Sequence, residues 1–178
     1  MRYLDEVVRA MKMLAENPKT VFLGQSIAYP GNIIYKTLVD VPREKKIEMP
    51  VVEDFQMGFS TGLALAGFIP VTTFPRMDFL ILACNQLVNH LDKFPIISQG
   101  KACPKVIIKT MVGSVKPLNP GHQHKQDYIE AMRLMCKTVD IIDLTEPEQI
   151  YPAHEKALNR TDGRSTLLVE HGDFYNEK

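Results

Sequence analysis

Apolar positions at Leu4, Val7, Val8, Met11 and Leu14 recur at helical spacing and predict a helix over residues 3–16. The period then changes. Val21-Phe22-Leu23-Gly24 is a short apolar run closed by a glycine, which reads as a buried strand. A second strand is predicted near Lys46–Met49, leading to Pro50. From Glu53 or Asp54 the spacing is helical again and runs to Gly67, a natural C-terminal stop. The alternation continues with a strand over Ile69–Phe74, a helix over Phe79–Leu91 and a strand over Lys105–Met111. A Pro/Gly-rich loop follows from Val112 to His124. A helix over about 127–136, a strand at Val139–Leu144, a helix over 147–158 and a strand at Ser165–Val169 complete the series. Strands alternating with helices predict an α/β fold, an open and mostly parallel sheet with helices on both faces. No internal repeat or linker divides the chain, so residues 1–178 read as a single domain, long enough for one core.

Composition narrows the class of function. Apolar residues at 45% and charged residues at 24% are ordinary for a soluble globular protein. Lys plus Arg equals Asp plus Glu at 21 each, and no long basic block stands out, so neither nucleic acid nor a membrane surface is an expected partner. The N-terminal MRYLDEVVRAMKMLAEN carries acids at helical spacing and does not read as a signal peptide. The longest apolar stretch, GLALAGFIPV, is too short to span a bilayer. Three widely spaced cysteines, Cys84, Cys103 and Cys136, read as buried thiols in a reducing, cytoplasmic compartment and form no zinc motif.

The stretch VVEDFQMGFSTGLALAG places two carboxylates, Glu53 and Asp54, at the mouth of a segment of small and apolar residues. In open parallel sheets ligands bind outside the carboxyl ends of the strands. Gln25 and Ser26, Glu53, Pro75–Phe79 and the loop up to His124 all fall at such ends. Neither GxGxxG nor GxxxxGK[ST] is present to cradle phosphates. Gly58 and Gly62, four apart, let a helix approach another backbone closely, either the sheet below or a symmetry-related helix. Read alone, Glu53 equally serves a helix N-terminus, Phe79 a core, and His122 and His124 a solvent-facing loop.

Taken together, the order LGQ, ExxxxGxxxGxALAGxxPV, FxxxDFxxxxxNQLVN and HxQ resembles the pyrimidine-binding domain of thiamine-diphosphate enzymes. The likeness runs over residues 3–172. It is greatest to the beta subunits of pyruvate and other 2-oxoacid dehydrogenases, with the central domain of transketolase further off. The resemblance implies that Glu53 hydrogen-bonds N1′ of the cofactor's aminopyrimidine and exchanges a proton with it. Burial would raise this acid's pKa and help it keep a transferable proton. Asp54 is left as the helix-end acid. Phe79 matches the aromatic that packs on the aminopyrimidine ring. His124, with Gln126 two residues on, matches a substrate-side His-x-Gln, where a histidine shuttles protons near neutral pH. His122 is the alternative for that role. Where dehydrogenase beta subunits carry an acid after LG, this chain has Gln25, which joins Glu53 and Phe79 on the cofactor side.

The resemblance also implies a partner. The family holds diphosphate through Mg2+ with a GDG motif and an asparagine some thirty residues later. Here Asp162-Gly163 is the sole Asp-Gly pair and lacks the first glycine, and no oxygen set of the kind magnesium requires is evident. The expectation is a separate diphosphate-binding subunit carrying GDG plus Asn and the Mg2+ site, in a two-plus-two heterotetramer, with the glycine-spaced helix at the interface. The family's C-terminal domain is not recognised in the 178 residues. That favours transketolase-like or 2-oxo acid decarboxylase/carboligase chemistry on a ketose or 2-oxo acid. The alternatives are a 2-oxoacid dehydrogenase beta-type subunit and a non-catalytic interaction or regulatory subunit of the same fold.

Overall fold

The computed structural model describes residues 1–117 and 119–177, so position 118 of the predicted loop and the final residue lie outside the described residues. In chain order the elements are α1 (Tyr3–Glu16), β1 (Thr20–Gly24), α2 (Ile33–Thr37), β2 (Lys46–Glu48), α3 (Glu53–Leu65), β3 (Ile69–Thr73), α4 (Met77–Leu80), α5 (Phe94–Ile97), β4 (Ile107–Val112), α6 (Ile129–Met135), β5 (Asp140–Asp143), α7 (Pro147–Asn159), β6 (Thr166–His171) and α8 (Phe174–Glu177). The helix expected over 79–91 starts two residues earlier. It is composite, with α4 passing through a 3-10 turn at Ile81–Ala83 into a π-helical segment at Asn85–Leu91.

The six strands form one all-parallel sheet in the order β2-β1-β3-β4-β6-β5, as the alternation predicts. Both faces are covered, which is why the strands read as apolar runs. Successive residues of a strand point to opposite faces. Phe22, Val71, Ile107, Met111 and Leu168 therefore pack with α1, α2, α7 and α8. Ile108, Leu167 and Val169 pack with Met57 of α3, the 77–91 segment and α6. Helix α3 ends as Gly67 foretold. Gly67 takes a φ of +92°, and the N–H groups of Gly67 and Phe68 donate to the carbonyls of Ala64 and Leu63 at 3.1 Å each, closing a Schellman motif.

One polar pair crosses the first of these faces. Lys109 of β4 and Glu170 of β6 are both buried, with Nζ donating to Oε2 at 2.9 Å, and the Tyr175 hydroxyl donates to the same oxygen. His154 of α7 is fully buried nearby, its Nδ1 2.8 Å from the Ile150 carbonyl, and burial pulls its pKa below the ordinary value.

Candidate active site

The chain leaves β1 for β2 on one side and returns to β3 on the other, so strand order reverses between β1 and β3. A crevice at the carboxyl ends of two such strands is where open α/β sheets bind ligands. Gly24 ends β1 there, and a Cβ on it would lie 2.7 Å from the Thr73 carbonyl oxygen and 2.9 Å from Ile27 Cγ2. Only a residue without a side chain lets the two strand ends meet so closely.

Gln25 follows directly, and its Nε2 donates to Glu53 Oε1 at 3.1 Å, with both side chains buried. Glu53 is the first residue of α3, whose N-cap, Val52, contributes no side-chain hydrogen bond. The carboxylate therefore stands at the positive end of the helix dipole. Among the described residues Gln25 is its one hydrogen-bond partner, which leaves Oε2 uncommitted. Asp54 shares the first turn, but its carboxylate accepts from Gln86 Nε2 at 3.2 Å and so ties α3 to the π-helical segment.

The sequence reading missed what holds Gln25 in place. Glu48, the last residue of β2, accepts the backbone N–H groups of Ser26, Ile27 and Ala28 at 2.5, 3.0 and 2.9 Å. Ser26 is left-handed there, with φ +61°. An acid ending a strand beside the LGQ turn was the available signal.

On the other side of the crevice the segment after β3 meets the histidine loop. The rings of Phe79 and His124 are edge-on, 5.5 Å apart at 81°. Arg76 Nη1 donates to the carbonyls of Gly113 and His124 at 2.5 and 2.6 Å. Burial lowers the pKa of this guanidinium, and the carboxylates of Asp78 and Asp173 push it back up. The Asp78 carboxylate accepts the Gln126 backbone N–H, with Oδ2 at 3.3 Å, and Gln126 Nε2 donates to the His122 carbonyl at 2.5 Å. His122 itself is exposed. The structure thus pairs Gln25 with Glu53 and Phe79 with His124. Among the described residues no hydrogen bond or ring contact joins one pair to the other. Asp78 is the acid of the FxxxDF pattern, but neither it nor Arg76 was given a role from the sequence.

The glycine spacing of α3 does not serve the sheet below. A Cβ on Gly58 would meet Gln86 Oε1 at 3.4 Å, and one on Gly62 would meet nothing within 4 Å. Gly62 instead belongs to an outward face where Phe55 and Phe59 stack at 5.8 Å and remain 53% and 38% exposed, with Val52 and Leu65 also exposed. Neither glycine is needed for approach to the sheet, and the outward face is more aromatic than a small-residue stripe.

The chain is an all-parallel α/β sheet with a buried acid at its topological switch point. No protein-family model matches the chain. Among curated proteins it is 25% identical over 168 residues to a pyruvate dehydrogenase beta subunit of Gracilaria tenuistipitata var. liui, covering 92% of this chain and 50% of that one. It is 33% identical over 118 residues to the mitochondrial counterpart of Chaetomium thermophilum, covering 65% of this chain and 30% of that one. It is 28% identical over 120 residues to the 2-oxoisovalerate dehydrogenase subunit beta of Bacillus subtilis, covering 65% and 37%. The chain spans half or less of the length of these relatives. A solved split-gene transketolase, an inactive beta4 tetramer, superposes with a TM-score of 0.62 at 19% identity, over 94% of this chain and 50% of that one. The chain is thus similar to 2-oxoacid dehydrogenase beta subunits and has a transketolase-like fold, which fits the pyrimidine-binding domain of thiamine-diphosphate enzymes.

Proposed function

We propose that this chain supplies the aminopyrimidine-facing half of a heteromeric thiamine-diphosphate enzyme acting on a ketose or a 2-oxo acid. The observation that carries the reading is Glu53, a buried carboxylate at a helix N-terminus, held by Gln25 through one oxygen with the other uncommitted. That donor set fits a ring nitrogen able to share a proton. Thiamine diphosphate, when bound, supplies the electron sink for cleaving the bond beside a carbonyl. The chain's own tasks are narrower. Gln25 fixes the carboxyl group's orientation by donating to Oε1, so that Oε2 holds the exchangeable proton. Phe79 offers an apolar ring against which a flat heterocycle packs. His124, edge-on to that ring, moves a proton to or from the substrate side.

The metal that would hold the diphosphate has no ready side-chain cluster: among the described residues no group of three or more His, Cys, Asp or Glu could hold a metal ion. We assign Mg2+ and the diphosphate to a partner subunit with a GDG-plus-Asn motif, in a two-plus-two assembly through the outward face of α3. A dehydrogenase beta-type activity is the second reading, favoured by the names of the curated relatives.

Glu53→Gln tests the assignment. Glutamine keeps the shape but cannot exchange a proton, so cofactor binding should persist while exchange of the thiazolium C2 proton collapses in the assembled complex. Exchange at the wild-type rate would sink the role of Glu53. Titration of cofactor and Mg2+ into this chain alone should show weak or no binding, and micromolar affinity would overturn the two-chain site. Turnover of a 2-oxo acid with an artificial electron acceptor, against transfer from a ketose to an aldehyde, separates the two chemistries.

A further inference from the structure

We propose that Arg76 is the positioning residue for His124, a role that rests on the reading of His124 as a proton-transfer group. The Nη1 of Arg76 carries two hydrogens, and both go to backbone carbonyls at the two ends of the histidine loop, Gly113 at 2.5 Å and His124 itself at 2.6 Å. A guanidinium is planar, permanently charged and rigid in its donor directions, so one nitrogen bridging two carbonyls holds their separation. Hydrogen bonds from a charged donor are also the stronger kind. Arg76 makes no ion pair at contact distance among the described residues; Asp78 and Asp173 favour its charge from further off, and its direct hydrogen bonds go to the loop carbonyls.

The residues just after Arg76 finish the task. Asp78 takes the N–H of Gln126, just beyond the histidine, and Phe79 sets its ring against the imidazole. One short stretch, 76–79, therefore contacts the carbonyl of residue 124, its ring and the backbone beyond it. The early part of the loop is held separately, where the N–H groups of Val115 and Lys116 donate to Asp173 Oδ1 at 2.9 and 3.1 Å. Loss of Arg76 should therefore free the histidine end of the loop while leaving that anchor in place.

The test combines hydrogen exchange on the full chain with kinetics of the assembled enzyme. In Arg76→Ala, backbone exchange in peptides spanning residues 119–128 should rise by about tenfold or more while peptides over β1 and β4 stay protected. Turnover should fall by about 10²-fold, the scale of a displacement of roughly 1 Å, with a smaller change in KM. Added guanidinium, below denaturing concentrations, should restore part of both. Arg76→Lys, which keeps the charge and loses the fork, should show the same raised exchange in milder form. Arg2→Ala, which removes an exposed arginine paired with Asp5, should change nothing. In a His124→Ala background, Arg76→Ala should cost little more, because a residue acting through another is not additive with it. Unchanged exchange at 119–128, or fully additive losses in the double variant, overturns the proposal. If the assembled wild-type enzyme has no thiamine-diphosphate turnover, the proposed function fails by itself, and the exchange measurement still decides whether Arg76 holds the loop.

Discussion

Replacing Lys109 by methionine removes one charge from a pair that water hardly reaches. Lys109 is 1% exposed and Glu170 0%, and Nζ lies 2.9 Å from Oε2. At an effective dielectric constant of about 20 their attraction is about 6 kcal/mol, most of it offset by the cost of drying both ions. The net worth of the pair is small, but breaking it leaves Glu170 as an uncompensated buried carboxylate whose Oε1 has no partner among the described residues. Such losses run to about 3–5 kcal/mol. For a chain of this size each kcal/mol moves Tm by about 2–4 °C, so Lys109→Met should lower Tm by about 6–20 °C. Removing the whole polar group reverses the expectation. Lys109→Met with Glu170→Leu and Tyr175→Phe leaves no charge unpaired and no hydroxyl without its acceptor, and should lie within about 1 kcal/mol of wild type or above it. Urea and thermal unfolding followed by circular dichroism at neutral pH measure all three forms. A single variant that loses less than about 1 kcal/mol, or a triple variant no more stable than the single, refutes the reasoning.

His154 predicts a pH dependence. Burial lowers its folded-state pKa below the ordinary 6.5, against the opposing influence of Glu170 and with that of Lys109. The unfolded chain therefore takes up this proton first. Stability should fall as pH drops below about 6.5 and go on falling to the folded-state pKa, with a slope of at most about 1.4 kcal/mol per pH unit. Urea midpoints between pH 7.5 and 5 should show this in wild type and a flatter curve in His154→Leu, and equal slopes would remove His154 as the cause. In the assembled enzyme, His124→Ala should cost about 10²–10⁴-fold in turnover while the exposed His122→Ala costs little. The reverse order would move the catalytic role two residues along the loop.

The four inner strands were legible because each carries an apolar run bounded by turns, and α3 because Glu53 and Gly67 mark its ends. The one-turn helices α2, α5 and α8 were not, since four or five residues are too few to show a period, and a local cap sets α2. Asn32 accepts the Tyr35 N–H at 2.8 Å. The site was half legible. Glu53, Phe79 and His124 stand in recognisable patterns. Gln25 meets Glu53 across 28 positions of sequence, and Arg76 meets His124 across 48, separations that no local pattern spans. Lys109 within VIIKTM and Glu170 within LLVEH are visible as charges in apolar runs. Their partnership depends on β6 lying beside β4, which spacing alone does not reveal.

The sheet's two outermost strands are its shortest, β2 with three residues and β5 with four. At the start of β5, Asp140 is tied by Arg160 and by Arg164, the latter at 2.9 Å. Short, charge-bearing borders give an incoming strand little to pair with. Growth of the sheet from chain to chain is thereby discouraged at both borders, and association is left to helical surfaces. Of these, the outward side of α3, with Phe55 stacked on Phe59, is the one that begins at the candidate catalytic acid. On the proposed function, a subunit docking there would also meet the mouth of the crevice, and assembly would then complete the site in the same event.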